Sequence, residues 1–338
     1  MAMSKDEFLP KELIIDILYR LPVKSIGRCR CLSKHWRNFL SDPQFIKLHF
    51  NLHAHTQEKK LIIVTWQCEL YTITFIPQNG GEIHGISRKV NFQHSSHNWK
   101  SVAGSCNGLV LMVGREKIHF LNNPTTLKHH QIPMFDSLLP LHRTCYMYGL
   151  GYDVVNDDYK VVVLSYPVKN KTVTCVYMYS VRKGLWEKLE NSPYDHSPFE
   201  PRSGVLVNGA LHWLARTTSE NSTTIAAFDL SVDKFSEGVF VYPPIPYLDT
   251  DTFWMMKEYG VKESWTKFKI TVHVPLTTLL CSIGDDDVLL DTDEELVVYN
   301  MKENRRKDLL IDVNPLFYEG RTFVDSLVSP YFGSETEG

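Results

Sequence analysis

The sequence predicts an α+β multidomain chain in which a small helical module precedes a larger all-β domain. In about the first fifty positions, apolar residues recur at helical spacing between prolines and serines that can end or begin helices. From residue 61 onward, short runs rich in Val, Ile, Tyr, Phe and Thr alternate with Gly, Pro, Asn and Asp, which is typical of antiparallel strands. We place the helical module at 4–50, a polar connection at 51–60, the β domain at 61–330 and a tail at 331–338.

The helical module divides into four short helices. Pro10 suits the first position of a helix, and Pro22 ends that helix. Its apolar face consists of Leu13, Ile14, Ile17, Leu18 and Leu21. Ser25 and Ser33 can cap a second and a third helix, and Asp42-Pro43 can start a fourth. So small a module cannot bury all of its apolar side chains, so we expect a patch that requires the β domain or another protein.

Several motifs of this module match a known family. They are Leu9-Pro10, Glu12-Leu13, Ile17-Leu18, Leu21-Pro22-Val23-Lys24-Ser25, Cys29-Arg30-Cys31, Ser33-Lys34 and Trp36-Arg37. Together they resemble an F-box of the plant type, which implies docking on a Skp-type adaptor and, through it, on cullin and RING subunits. The resemblance implies that the adaptor surface is formed or supported by Leu9, Pro10, Ile17, Leu21, Pro22, Val23, Ser25 and Trp36.

Other residues of the same motifs have a simpler interpretation. The module's own core can account for Leu13, Ile14, Leu18 and Cys29. Lys24 and Arg28 are expected to form a polar rim, which contributes little to the affinity of an interface.

The β domain contains a weak internal repeat. A strand ends in an aromatic residue or Leu, then come Asp, Asn or Ser and a polar turn. The repeats are anchored at Leu121, Tyr179, Phe228, Met255 and Tyr299. Most intervals suit blades of about 40–50 residues, the range of WD40 and kelch repeats. Because radial closure protects the edges of sheets, we expect a propeller-like, kelch-type domain.

One blade of this domain is predicted to be incomplete near 236–254. The interval from Phe228 to Met255 is too short for four strands of ordinary length. Three prolines (Pro243, Pro244 and Pro246) disfavour a central strand there.

A second set of motifs covers the β domain. They are Gly104-Ser105-Cys106-Asn107-Gly108-Leu109, Asn123-Pro124-Thr125, Tyr148-Gly149-Leu150-Gly151-Tyr152-Asp153, Asp157-Asp158-Tyr159-Lys160-Val161-Val162, Asn208-Gly209-Ala210-Leu211-His212-Trp213-Leu214, Met256-Lys257-Glu258-Tyr259-Gly260, Glu263-Ser264-Trp265-Thr266 and Ser326-Leu327-Val328-Ser329-Pro330. They resemble the plant F-box-associated domain and, within it, the S-locus-F-box-like group. The resemblance implies a domain that binds a target protein for ubiquitylation and proteasomal degradation, with a secreted ribonuclease and self-incompatibility as one implied target and pathway. Related plant proteins serve other pathways.

Charge and composition exclude other classes of partner. Residues 1–50 carry nine Lys/Arg against five Asp/Glu, whereas the remaining residues carry 27 against 34. An acidic body is a poor binder of phosphate backbones, so we expect no nucleic-acid partner. No apolar run has the roughly 20 residues of a membrane span, and seven dispersed cysteines indicate no disulfide framework. We therefore expect a cytoplasmic or nuclear protein with no membrane partner.

Candidate catalytic and metal-binding residues have simpler interpretations. Cys106 has no paired His at a diagnostic spacing, His94 and His97 lack a third ligand, and His49 and His53 lack the Glu of a zinc-protease motif. We predict no catalytic residue, no metal and no cofactor.

Two further stretches are predicted to be turns. Gly149-Leu150-Gly151 lacks the third glycine of a dinucleotide loop. The acidic stretch 285–295 lacks the spacing of a calcium loop, and is predicted to be a solvated hairpin turn. Its alternative is an acidic patch that attracts a basic partner.

Two other functions stay open at this stage. The chain could be a propeller-like protein- or sugar-binding module that is not active in degradation. An enzyme would require a convergent pocket with a perturbed His or Cys.

Overall fold

The computed structural model describes residues 10–53, 58–78, 82–92, 99–114, 118–134, 144–167, 173–196, 203–219, 222–236, 240–241, 252–270, 278–283, 286–292, 295–312 and 317–331. Within these ranges an N-terminal group of helices precedes an all-β domain, as the sequence predicts.

The helical module contains four helices: α1 (Lys11–Arg20), α2 (Val23–Cys29), α3 (Lys34–Leu40) and α4 (Pro43–His53). Ser33 caps α3, because its hydroxyl accepts a hydrogen bond from the Trp36 amide at 3.2 Å. Asp42 caps α4 through the Gln44 amide at 2.8 Å. The cap predicted at Ser25 is wrong: α2 begins at Val23, directly after Pro22, and Ser25 lies inside the helix.

The core of the helical module includes a residue from the far end of the chain. Its buried side chains are Leu18, Val23, Ile26, Leu40, Phe45, Ile46 and Leu327. Leu327 is 6% exposed and lies beyond the last strand of the β domain. The predicted surplus of apolar surface is therefore covered partly within the same chain.

The β domain has a five-blade propeller arrangement, in which five sheets have at least four strands each. The first blade has the order β24-β3-β2-β1-β25, with β1 (Lys60–Thr65), β2 (Leu70–Pro77), β3 (Ile83–Lys89), β24 (Leu309–Ile311) and β25 (Phe317–Phe323). The second has β4 (Trp99–Cys106), β5 (Leu109–Gly114), β6 (His119–Asn123) and β7 (Lys128–Ile132). The third has β8 (Thr144–Asp153), β9 (Asp158–Pro167), β10 (Cys175–Ser180) and β11 (Leu185–Lys188).

The remaining sheets complete the ring. The fourth blade has β12 (Tyr194–Asp195), β13 (Val205–Val207), β14 (Ala210–Thr217), β15 (Thr223–Asp229), β16 (Lys234–Phe235) and β17 (Phe240–Val241). The fifth has β20 (Thr278–Ser282), β21 (Asp287–Asp291), β22 (Leu296–Asn300) and β23 (Arg305–Lys307). Between them lies a two-stranded sheet of β18 (Thr252–Met256) and β19 (Trp265–Lys269), whose side chains pack on both neighbours. The predicted incomplete blade near 236–254 falls largely outside the described residues.

The core of the β domain lies between neighbouring sheets. One cluster joins the second and third blades, another the third and fourth, and others join the first blade to the second and to the fifth. Because both faces of a blade are covered, β1 and β5 are buried along their whole length. This burial explains why their sequences are continuous apolar runs rather than alternating ones.

Five hairpins share one turn chemistry, which explains the weak repeat. A side-chain oxygen at the end of the first strand accepts hydrogen bonds from amides two or three residues later, at Asn123, Asp153, Ser180, Asp229 and Asn300. Four residues after each of these comes a left-handed residue: Leu127, Asp157, Gly184, Asp233 and Asn304. Met255 does not belong to this set, because the connection after β18 contains a 3-10 turn at Lys262–Ser264.

The turn predicted at Gly149-Leu150-Gly151 is wrong, because all three residues lie in β8. Here glycine is required by close packing. A β-carbon at Gly149 would lie 2.8 Å from the Trp213 ring, and one at Gly204 would lie 2.5 Å from the same ring. The indole of Trp213, 3% exposed, therefore lies between two glycines, and its Nε1–H donates to the Tyr148 carbonyl at 3.3 Å.

Replacing Gly149 with alanine is expected to destabilise the chain by about 1–3 kcal/mol, because the new methyl group would overpack a buried, rigid ring. The measurement is the free energy of unfolding in urea. Gly114→Ala is the matched control, since its β-carbon would meet only the Ile118 carbonyl, at an ordinary 3.6 Å. Equal stability of the two variants would contradict the packing argument.

Two buried histidines make the fold sensitive to acid. His119 is 4% exposed and His196 is fully buried, and burial lowers the pKa of each to about 4. An unfolded histidine has a pKa of about 6.5. Between these values the unfolded chain binds protons that the folded chain does not, so stability that is fully present above pH ~6.5 is lost as the pH falls toward ~4.

The expected loss is about 1.4 kcal/mol per pH unit for each histidine. We expect His119→Gln to have a shallower dependence of unfolding free energy on pH between 6.5 and 4.5 than the parent chain. His35→Gln, at an exposed position, is the control and should keep the parent slope. An unchanged slope in His119→Gln would show that His119 titrates normally in the folded chain.

Candidate functional site

An exposed apolar stripe on α1 is the main candidate for a docking surface. Pro10 is exposed, Leu13 is 51% exposed and Ile17 is 48% exposed. Spacings of three and four residues place them on one face of the helix. The adjacent face contributes Ile14 and Leu18 to the core. The helix thus holds two apolar stripes, of which packing within the chain covers one.

The structure divides the predicted adaptor-binding residues into two groups. Pro10, Ile17 and Pro22 are exposed. Val23 is buried, and Leu21 and Trp36 pack on the core of the helical module. Ser25 is half-buried on α2. Leu9 lies outside the described residues.

Sequence reasoning missed Leu13. Of the four residues with a core interpretation, Leu18 is buried and Ile14 and Cys29 pack on the core, but Leu13 is half exposed. The signal was present: Leu13 precedes Ile17 by four residues, so the two share a face that differs from the face of Ile14 and Leu18.

Basic side chains stand on the second and third helices. Lys24 and Arg28 on α2, and Lys34 and Arg37 on α3, are exposed. Arg30 differs, because its guanidinium donates to the Leu40 carbonyl at 2.7 Å and closes the end of α3. The exposed cations give the module a positive outer surface, which favours encounter with an acidic partner.

The histidine pair on α4 has a structural role. The Nε2 atoms of His49 and His53 lie 2.8 Å from the carbonyl oxygens of Leu21 and Tyr19, respectively. Burial lowers the pKa of His49, so the ring is neutral at pH 7 and its Nε2–H donates. Both rings attach α4 to the end of α1.

In the β domain, the candidate reactive groups are buried or paired. Burial raises the pKa of Cys106 to about 12, which leaves the thiol protonated. Within the acidic stretch, Asp287 pairs with Lys307 at 2.9 Å and Glu295 with Arg306 at 2.6 Å. The turn predicted over 285–295 is wrong for 287–291, which form β21, while 285 and 293–294 lie outside the described residues. His94 and His97 lie outside the described residues.

The described residues contain neither a cluster of metal-binding side chains nor a membrane-spanning helix. No group of three or more His, Cys, Asp or Glu side chains in these ranges could hold a metal ion. None of the described helices has the length and apolar character needed to cross a membrane.

The two ends of the propeller differ in what covers them. The helical module contacts one end, where Lys47 of α4 pairs at 2.8 Å with Asp157 in the β8–β9 turn. Connections alternate between the ends of antiparallel strands, so the opposite end receives the β5–β6, β9–β10, β14–β15 and β21–β22 connections. Within those connections, 115–117, 168–172, 220–221 and 293–294 lie outside the described residues.

Comparison with known proteins agrees with this division. A family model described as "F-box domain" matches residues 7–48, and one described as "F-box associated beta propeller domain" matches residues 59–269. The F-box protein CPR1 of Arabidopsis thaliana is 28% identical, over 95% of this chain and 88% of its own length. The F-box/kelch-repeat protein At3g23880 of Arabidopsis thaliana is also 28% identical, over 95% of this chain and 96% of its own length.

Among solved structures, a DUF4784 family protein from Bacteroides caccae covers 79% of this chain and 74% of its own, with 8% identity and a TM-score of 0.39. So low a score carries no argument. The assignment to a family rests on the two family models. The helices at 11–53 and the propeller that begins at Lys60 coincide with the two matched regions. The chain therefore belongs to the plant F-box proteins with an F-box-associated β-propeller domain.

Proposed function

We propose that this chain is the substrate receptor of an SCF-type (Skp-cullin-F-box) ubiquitin ligase. Its F-box docks on a Skp-type adaptor, and its propeller binds the target protein. The observation that carries the proposal is the exposed stripe of Pro10, Leu13 and Ile17 in an F-box attached to a propeller. An F-box is the module by which such receptors join the adaptor.

The receptor itself needs no catalytic residue. In such a ligase the complex holds a lysine of the target near the charged ubiquitin carrier. The high effective concentration of that lysine accelerates ubiquitin transfer, and no side chain of the receptor takes part in the reaction. A buried, protonated Cys106 is compatible with this role, since it is a poor nucleophile.

The chemistry of the α1 stripe fits an adaptor groove. Half-exposed Leu13 and Ile17 can bury the rest of their surface against a partner, and apolar side chains at the centre of an interface supply most of its affinity. The exposed cations of α2 and α3 fit a rim, where they steer encounter with an acidic adaptor surface.

The target site is proposed at the end of the propeller that faces away from the helical module. That end is separated from the adaptor surface by the propeller itself, so both partners can bind at once. Resemblance to the S-locus group supports a secreted ribonuclease as the first target to test, with a role in self-incompatibility.

The double substitution Leu13→Ala/Ile17→Ala is expected to weaken adaptor binding by at least about 2 kcal/mol, roughly 30-fold, because both side chains are central anchors. Isothermal titration of the full chain with a plant Skp-type adaptor measures it. The thermal midpoint should hardly change, since neither side chain is buried. Leu185→Ala, 62% exposed on the propeller, is the control and should bind as the parent does. Parent affinity in the double variant would remove α1 from the interface.

Ligase activity is tested by reconstituting the full chain with adaptor, cullin, RING subunit and charged ubiquitin carrier. We expect ubiquitin transfer to lysines of the receptor or its target, and loss of that transfer in Leu13→Ala/Ile17→Ala. Adaptor binding without any transfer would favour the binding module that is not active in degradation.

A further inference from the structure

The segment that follows β25 lies between the helical module and the second blade. We call residues 324–328 the C-terminal strap. They belong to no strand, and they contain the start of the Ser326-Leu327-Val328-Ser329-Pro330 motif, to which the proposed function assigns no role. Ser326 is 1% exposed and Leu327 is 6% exposed, so the strap is an internal part of the molecule.

Asn123 of the second blade holds the strap through its amide. Its Nδ2 donates to the carbonyl oxygens of Ser326 at 3.0 Å and Val328 at 2.8 Å. Its Oδ1 accepts from the amides of Thr125 and Thr126, which forms the turn after β6. Only an amide side chain can do both.

Three further contacts fix the strap at Asp325 and Ser326. The Asp325 carboxylate pairs with Lys60, the first residue of β1, and accepts a hydrogen bond from the Thr125 hydroxyl at 3.0 Å. The β4–β5 turn lies directly against the strap: a β-carbon at Gly108 would be 2.2 Å from that of Ser326. The strap is therefore fixed to the first and second blades.

The side chains that follow reach the helical module. Leu327 is part of its core, together with Leu18, Val23, Ile26 and Leu40. Val328 packs both on that core and on the cluster between the second and third blades. The strap thus bridges the core of the helical module and the cluster between the second and third blades.

We propose that the C-terminal strap holds the F-box in one fixed orientation on the propeller. Asn123, Asp325 and Gly108 fix the strap to the blades, and Leu327 fixes it to the helices. Its consequence for the ligase rests on the proposed function: the strap sets the distance and angle between the adaptor and the bound target.

The Lys47–Asp157 ion pair offers a direct report of this orientation. It joins α4 to the third blade at 2.8 Å, and both side chains are about half exposed, 49% and 46%. A surface pair of this kind contributes little to stability. Its formation therefore indicates that the helical module is docked on the propeller, but the pair itself adds little to that docking. A carbodiimide joins a lysine amine directly to a carboxylate only when the two are in contact.

The experiment treats the full chain with carbodiimide and quantifies the Lys47–Asp157 cross-link by mass spectrometry. Asn123→Asp removes the donor to the strap but keeps the turn, since Asp153 and Asp229 hold the corresponding turns elsewhere. Leu327→Ala withdraws the side chain from the helical core. The Lys183–Glu187 pair within the third blade, at 3.0 Å, is the internal control.

In both variants the Lys47–Asp157 cross-link should fall at least about fivefold while the Lys183–Glu187 cross-link keeps its parent yield. Leu310→Ala, at a 58% exposed position, should leave both cross-links unchanged. A parent yield of the Lys47–Asp157 cross-link in either folded variant would overturn the proposal. If either Asn123→Asp or Leu327→Ala fails to fold, the cross-link yield of the other variant tests the proposal.

The same samples separate this inference from the proposed function. The cross-links require no adaptor, so a parent chain that fails to bind adaptor would refute the receptor role and leave the test of the strap intact. Conversely, a variant that has lost the Lys47–Asp157 cross-link could still bind adaptor. That result would show that the adaptor-docking surface is intact although the strap no longer fixes the F-box on the propeller.

Discussion

The pairing of β25 with β1 is the constraint on which the rest of the structure depends. It joins the last strand to the first, with Leu61 opposite Thr322 and Ile63 opposite Gly320, and so closes the ring. The entropic cost of closing so long a loop grows only with the logarithm of its length. Without this pairing β1 would expose an edge, and the cluster that joins the first blade to the second would lose Phe323. The strap begins where β25 ends, so the position of the helical module depends on the same closure.

Buried polar groups add specificity at the junctions between blades. Lys160, 4% exposed, donates to Asp153 at 2.9 Å, to Asp233 at 2.7 Å and to the Leu230 carbonyl at 2.7 Å. Burial alone would raise the pKa of Asp153, but hydrogen bonds from Asn156 and Lys160 together lower it, so the carboxylate stays charged. A buried pair of this kind is costly to break, which fixes the third blade against the fourth.

Local patterns predicted the elements well, because they depend on neighbours in sequence. The caps at Ser33 and Asp42 and the continuous apolar strands follow from such patterns. Features that depend on distant residues could not be predicted. Gly149 has a strand conformation, and the side chains of Leu211 and Trp213, far along the chain, explain why it must be glycine. Leu327 lies in the helical core for a reason that no local pattern contains. Leu13 was an error of another kind, since its helical spacing with Ile17 was visible.

Contacts between residues that are distant in sequence hold the helical module rigidly on the propeller. A receptor increases the rate of ubiquitin transfer only as far as it concentrates the target lysine, and effective concentration falls when the connection between two sites is flexible. A single covalent connection between two domains does not by itself define their relative orientation. The chain instead returns its C-terminal residues to the helices, so that Leu327 supplies apolar contact and Asn123 supplies direction. Apolar burial alone is non-directional, whereas hydrogen bonds from one amide to the carbonyls of Ser326 and Val328 define an angle. The two kinds of contact together join the helical module and the propeller into one body.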